Sequence, residues 1–160
     1  MPLLVPFEGS DLASAALERA AKFGDFRDEE VMVLSVVPED EDYAREMGWI
    51  AEREEFVPDL IAAEFERRAH RIAPDATFRA EMSETVGAST SATTDIVRTI
   101  REVAAEVDAS IVFIGSENAG RVATPVSSVG KPVSEDLRYD VHIVRHSGAT
   151  LDSDSDPGPS

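Results

Sequence analysis

Ser110-Ile111-Val112-Phe113-Ile114-Gly115-Ser116 opens the stretch on which the reading of this chain turns. It continues as Glu117-Asn118-Ala119-Gly120-Arg121-Val122-Ala123-Thr124-Pro125-Val126-Ser127-Ser128-Val129-Gly130-Lys131. The apolar run has the length and composition of a buried strand. The glycines and small polar residues that follow let a backbone come close to a ligand. A helix starting after such a loop offers free N–H groups to an anion. In an open α/β sheet this is where a phosphate site is built.

Upstream, Leu3-Leu4-Val5-Pro6-Phe7 is a second short apolar run, broken by Glu8-Gly9-Ser10-Asp11. Ser10 or Asp11 is suited to cap the next helix. Leu12, Ala16, Ala20 and Phe23 lie on one face of that helix, and Gly24 is the expected C′ residue that ends it. Val31-Met32-Val33-Leu34-Ser35-Val36-Val37 is apolar almost throughout, which predicts a strand buried on both faces. Tyr43 to Phe56 is acidic and irregular, with Met47, Trp49 and Ile50 as its apolar residues. Trp49 reads either as a packing anchor or as part of a lid. Pro58 suits the first position of a helix running to Ile72, with Leu60, Ile61, Ala63, Phe65, Ala69 and Ile72 as a broad apolar stripe. Ala76 to Met82 alternates, as an exposed edge strand does. Val86 to Ser91 is a turn. A helix from Thr93 or Thr94 carries Ile96, Ile100, Val103 and Val107 on one face. Downstream, Pro132 to Leu137 is expected to give one or two helical turns, and Tyr139 to Arg145 the last strand.

Strands alternating with helices predict a single-domain α/β fold: an open parallel sheet covered by helices on both faces. Ligands of such sheets sit at the carboxyl ends of the strands. Two loops qualify, Glu8-Gly9-Ser10 and Gly115 to Gly130.

The composition narrows the function. Asp and Glu number 32 against 15 Lys and Arg, a net charge of −17, and the only lysines are Lys22 and Lys131. Self-repulsion of this size weakens a fold in dilute buffer. It matters little near 1 M salt, where the Debye length is about 3 Å. The balance is that expected of a protein from a salt-in halophile. No basic stripe exists to neutralise phosphates, so a nucleic-acid partner is not expected. There is no cysteine. No apolar run approaches the roughly 18 residues of a membrane span, and no basic n-region opens the chain. A cytoplasmic location and no membrane partner are expected.

The three histidines, His70, His142 and His146, have no metal-ligand spacing, and Glu39-Asp40-Glu41-Asp42 is expected to be a solvated acidic turn. No serine has a His/Asp partner at recognisable spacing, and Gly115-x4-Gly120 is not followed by Lys-Ser/Thr as in a P-loop. No catalytic residue and no metal site are expected, and the protein is not expected to be an enzyme.

Taken together, Leu4-Val5-Pro6-Phe7-Glu8-Gly9-Ser10, Val33-Leu34-Ser35-Val36-Val37-Pro38 and Ile111-Val112-Phe113-Ile114-Gly115-Ser116 resemble the first, second and fourth strands of the universal stress protein family. The resemblance covers residues 2 to 146. It implies a five-stranded sheet in the order 3-2-1-4-5 and a homodimer built through the last strand, with Val141, Ile143 and Arg145 on one face. It implies a domain over 1–146; the Ser/Asp/Gly/Pro-rich composition beyond it predicts a disordered acidic tail over 147–160. Nucleotide-binding members carry Gly-x2-Gly-x9-Gly-Ser/Thr after strand four. Gly120 and Gly130 keep the x9 spacing, while Glu117 stands at the earlier glycine and Lys131 at the closing hydroxyl. The strand-one Asp that meets the nucleotide is Glu8. The residues implied at the site are Glu8, Gly9, Ser10, Val36, Gly115, Gly120, Gly130 and Lys131. Two functions follow. One is a dimeric interaction module with a degenerate nucleotide loop and no cofactor, favoured by Glu117 and Lys131. The other is a stress sensor that binds an adenine nucleotide, ATP or AMP.

Overall fold

A computed structural model of the chain describes residues 1–83, 92–116 and 139–146, with side chains from residue 94 onward in the second stretch. Within them lie β1 (Leu3–Pro6), α1 (Asp11–Arg27), β2 (Val31–Pro38), α2 (Glu41–Glu46), α3 (Pro58–Ile72), β3 (Thr77–Ser83), α4 (Ala92–Glu106), β4 (Ile111–Gly115) and β5 (Asp140–Val144). The turn expected at Val86 to Ser91, the loop beyond Ser116, the helical turns expected at Pro132 to Leu137 and the tail over 147–160 lie outside the described residues.

The strands form one sheet in the order β3-β2-β1-β4-β5, and every pair is parallel. The apolar runs alternate across it as strand geometry requires. Leu3 and Val5 of β1, Val31, Val33 and Val37 of β2 and Phe113 of β4 face a core shared with α1 and α3. Leu4, Leu34, Val36, Val112 and Ile114 face the opposite way, into a core shared with Val97, Ile100, Val103 and Ala104 of α4. Two-sided burial is therefore why these strands carry no polar alternation. β3 and β5 are the edges.

α1 starts where Ser10 accepts a hydrogen bond from the Ala13 N–H at 3.1 Å. Its Ala13, Ala16, Leu17 and Ala20 are buried on the sheet, and the small side chains bring the helix close to β4. Gly24 does not end it, contrary to the sequence reading. The helix runs on to Arg27, and Asp28 takes the left-handed conformation at φ 57°, ψ 46°. The Glu29 N–H closes back on the Gly24 carbonyl at 2.9 Å. Gly24 is a packing residue: a Cβ there would sit 2.7 Å from the Glu29 carbonyl oxygen and 3.0 Å from Val31.

α3 begins at Pro58 as expected. Ile61, Phe65 and Ala69 are buried, but Leu60 is 67% exposed and falls off the stripe. The segment between Pro38 and Pro58 holds only the six residues of α2 as helix, capped by Asp40 on the Tyr43 N–H. Beyond it, Arg45 donates to the Glu52 and Glu54 carbonyls at 3.0 and 3.1 Å and gathers the loop around itself. β5 is one residue shorter at each end than the sequence reading, which began at Tyr139 and ended at Arg145.

Candidate functional site

The connections leave β1 in opposite directions: β2 lies on one side and β4 on the other. A crevice opens at the carboxyl ends of strands at such a switch point. Here it is a cleft of about 270 Å³. Its floor and strand-side walls are Pro6, Leu34, Val36, Ile114 and Gly115. Ile96 and Ile100 come from α4, Leu12 and Ala13 from α1, and Tyr43, Met47 and Trp49 from α2 and the loop after it.

Glu8 and Ser10 line the rim. The turn that carries them is braced from below, where the Phe7 N–H donates to the Leu34 carbonyl at 2.8 Å. The buried Ser35 hydroxyl donates to the Phe7 carbonyl at 2.7 Å. One Glu8 carboxylate oxygen, Oε1, accepts from the Ser10 N–H at 3.2 Å and from the Ser10 hydroxyl. Ser10 Oγ is therefore committed twice, as donor to Glu8 and as acceptor from Ala13. That is the wiring of a capped turn, not of an activated nucleophile. A carboxylate with lone pairs to spare is an acceptor for an N–H of a ligand.

Glu8, Ser10, Val36 and Gly115 are thus brought together in one cleft. Gly9 is in the same turn but does not line it. It takes φ +85°, and a Cβ on it would meet Arg68 Nη1 at 2.7 Å. Its glycine is required by the left-handed turn, since the guanidinium end of Arg68 can swing aside. Gly115 lines the cleft but is also a packing glycine, since a Cβ would lie 2.9 Å from Leu12 Cβ. Gly120, Gly130 and Lys131 lie outside the described residues, as does Glu117.

The aromatic wall was not assigned to the site from sequence. Tyr43 meets Trp49 edge to face at 5.5 Å, Trp49 meets Phe65 at 5.4 Å, and Phe65 meets Phe7 at 6.3 Å. Trp49 therefore both anchors the loop and lines the cleft. Tyr43 and Met47 are four residues apart, but Met47 is the cap of a six-residue helix, too short for that spacing to stand out as a period. Ile96 and Ile100 have the same spacing and read only as core.

Among the described lining residues Glu8 is the one charged group. A cleft of this kind holds a flat, largely apolar group and aims an acceptor at its edge. Among the described residues no group of three or more His, Cys, Asp or Glu is placed to hold a metal ion. His70 instead bonds the Ala76 carbonyl at 3.0 Å, and His142 lies against Phe113.

An open parallel sheet with a ligand cleft at its switch point defines a doubly wound α/β binding domain. The model of the universal stress protein family matches residues 1–145, and the chain belongs to that family. A universal stress protein from Archaeoglobus fulgidus solved in complex with dAMP is 20% identical, with a TM-score of 0.52 over 91% of this chain and 98% of that one. A second structure from Archaeoglobus fulgidus is 22% identical, with a TM-score of 0.51 over 91% and 98%. A family member from Burkholderia pseudomallei is 17% identical, with a TM-score of 0.51 over 91% and 96%. These likenesses extend over nearly the whole of each chain and agree with the fold described above. No curated protein matches the sequence significantly. Among the described residues no helix is long and apolar enough to cross a membrane.

Proposed function

We propose that this universal stress protein is a non-catalytic regulatory module whose switch-point cleft takes the nucleoside part of an adenine nucleotide. The cleft itself carries the reading: apolar strand ends and an aromatic wall face one another, with a single carboxylate at the rim. The base packs between Val36, Ile96 and Ile100, and Glu8 accepts from its exocyclic amine. The dAMP held by the Archaeoglobus fulgidus relative supports the choice of ligand class. Phosphates fall to the loop after Ser116, with Gly120, Gly130 and Lys131. Non-catalytic action is supported by Ser10, whose hydroxyl is spent on closing the Glu8 turn and capping α1.

A second reading rests on the charge of the rim. The described lining offers an anion no cation, and Glu117 replaces a glycine of the phosphate loop. On this reading the module no longer binds nucleotide and acts as a cytoplasmic homodimer through β5. That strand is an edge, and pairing with a second copy satisfies its free N–H and carbonyl groups. Val141 and Ile143 are half-buried against the α4 core, while Arg145 is exposed.

Titration calorimetry with AMP and ATP in molar KCl separates the two. Saturable heat that Glu8→Gln weakens supports the first. No heat and no thermal shift at millimolar nucleotide sinks it. Light scattering in the same buffer tests the second, for which a monomer is the contrary result.

A further inference from the structure

Among the described residues Arg27, Arg45, Arg67, Arg79 and Arg98 pair with carboxylates, Arg79 with two. Arg68 and Arg71 are among the arginines that do not. Among the described residues neither forms an ion pair; Arg68 donates only to the Gly9 carbonyl, at 2.9 Å, and Arg71 has no hydrogen bond. Three residues apart, they are neighbours on one face of α3, where like charges repel. Both open onto a groove of about 470 Å³ between α3 and α1, walled also by Phe7, Ser14, Glu18 and Ile72. Phe7 is shared with the switch-point cleft, but no other lining residue is.

We propose that this groove is an oxyanion site, separate from the cleft, that takes a phosphate group. Two guanidiniums supply planar forks that match phosphate oxygens with paired N–H bonds, and the Ser14 hydroxyl adds a donor at the α1 side. Arg68 is already oriented by the Gly9 carbonyl, which uses Nη2 and leaves its other N–H groups for a ligand. Glu18 is the one carboxylate of the groove and pairs with neither arginine among the described residues. It sets a limit on the charge the site accepts, and favours a single phosphate over a polyphosphate. The phosphate is either free or carried as a monoester by a small molecule.

The test uses the full chain in molar KCl, followed by amide NMR during titration with inorganic phosphate and, separately, glycerol phosphate. Saturable shifts at Gly9, Ser14 and Arg71 in either titration are expected, and the tighter of the two identifies the form bound. Saturating adenosine, which carries no phosphate, should leave them in place. Arg71→Gln should weaken binding about tenfold, the loss of one charge-assisted contact. Arg53→Gln, at an exposed arginine outside the groove, should change nothing. Shifts confined to Val36 and Gly115, shifts that adenosine abolishes, an unaltered affinity in Arg71→Gln, or no saturable shift at all would each overturn the proposal.

Discussion

Gly115 shows how one residue serves packing and site together. Its missing Cβ lets α1 lie against the end of β4, with Leu12 Cβ only 2.9 Å from where a methyl would go. Leu12 Cβ is tied to its own backbone and cannot rotate aside. Gly115→Ala is expected to destabilise the protein by about 1–3 kcal/mol, the cost of overpacking a close-packed interior, measured by urea unfolding in molar KCl. His142 offers a test of pH dependence. Its ring stacks on Phe113 at 4.9 Å and 30°, with Arg19 at 3.4 Å. Loss of solvent, and then the charge of Arg19, hold its pKa below the ordinary histidine value. The unfolded chain therefore takes up this proton first as pH falls. Stability from this residue is complete above about pH 6.5 and is lost as pH falls toward the folded-state value. His142→Gln should flatten the slope of stability against pH in that window. An unchanged slope would remove His142 from the account.

At the scale of elements, α1 and α4 end alike. Asp28 and Asp108 both sit at φ 57°. In each case the next N–H closes back on the helix, Glu29 on Gly24 and Ala109 on Ala104, both at 2.9 Å. Glycine is the favoured residue at this position, and a carboxylate there opposes the negative end of the helix dipole. Asp28→Gly and Asp108→Gly are each expected to stabilise by about 0.5–1 kcal/mol, read as a rise in Tm at fixed salt. The same feature explains what could be read from the sequence. Strands were legible because β1, β2 and β4 are buried on both faces and leave unbroken apolar runs. The end of α1 was not, because an aspartate holds the left-handed turn while Gly24, the expected stop, is spent on packing against Glu29 and Val31. Of the residues that the family resemblance implies for the site, Glu8, Ser10, Val36 and Gly115 line one cleft. Tyr43 and Met47 were not legible as site residues, because six residues of acidic helix carry too few turns for a period to show. Gly9 was read as turn geometry, and its φ of +85° agrees; what the sequence could not show is the Arg68 guanidinium that donates to its carbonyl across 59 residues of chain.

At the scale of the molecule, charge is the dominant quantity. A net −17 on 160 residues is opposed by a core rich in alanine, with Ala13, Ala15, Ala16, Ala20, Ala62 and Ala69 all buried. Small side chains remove less apolar area from water than leucine or phenylalanine would. We expect screening by salt to hold down the repulsion. Dialysis from molar KCl to about 10 mM lengthens the Debye distance from about 3 to about 30 Å, and helical circular dichroism is expected to be lost. A spectrum that stays the same in dilute buffer would show that the core suffices without salt.

During synthesis β1 is made before the two strands that flank it, β2 and β4, yet it is the central one in the finished sheet. Leu3 can meet Val31 early, but its other neighbour is Ile111. Until β4 emerges, one side of the innermost strand has no partner, and every strand pairing must be closed across a long loop. Such long-range contacts slow folding and leave nascent edges open to misassembly. Acidic residues outnumber basic ones before β4 is made, so in dilute buffer repulsion between unfinished copies opposes that misassembly, whereas molar salt screens it within about 3 Å.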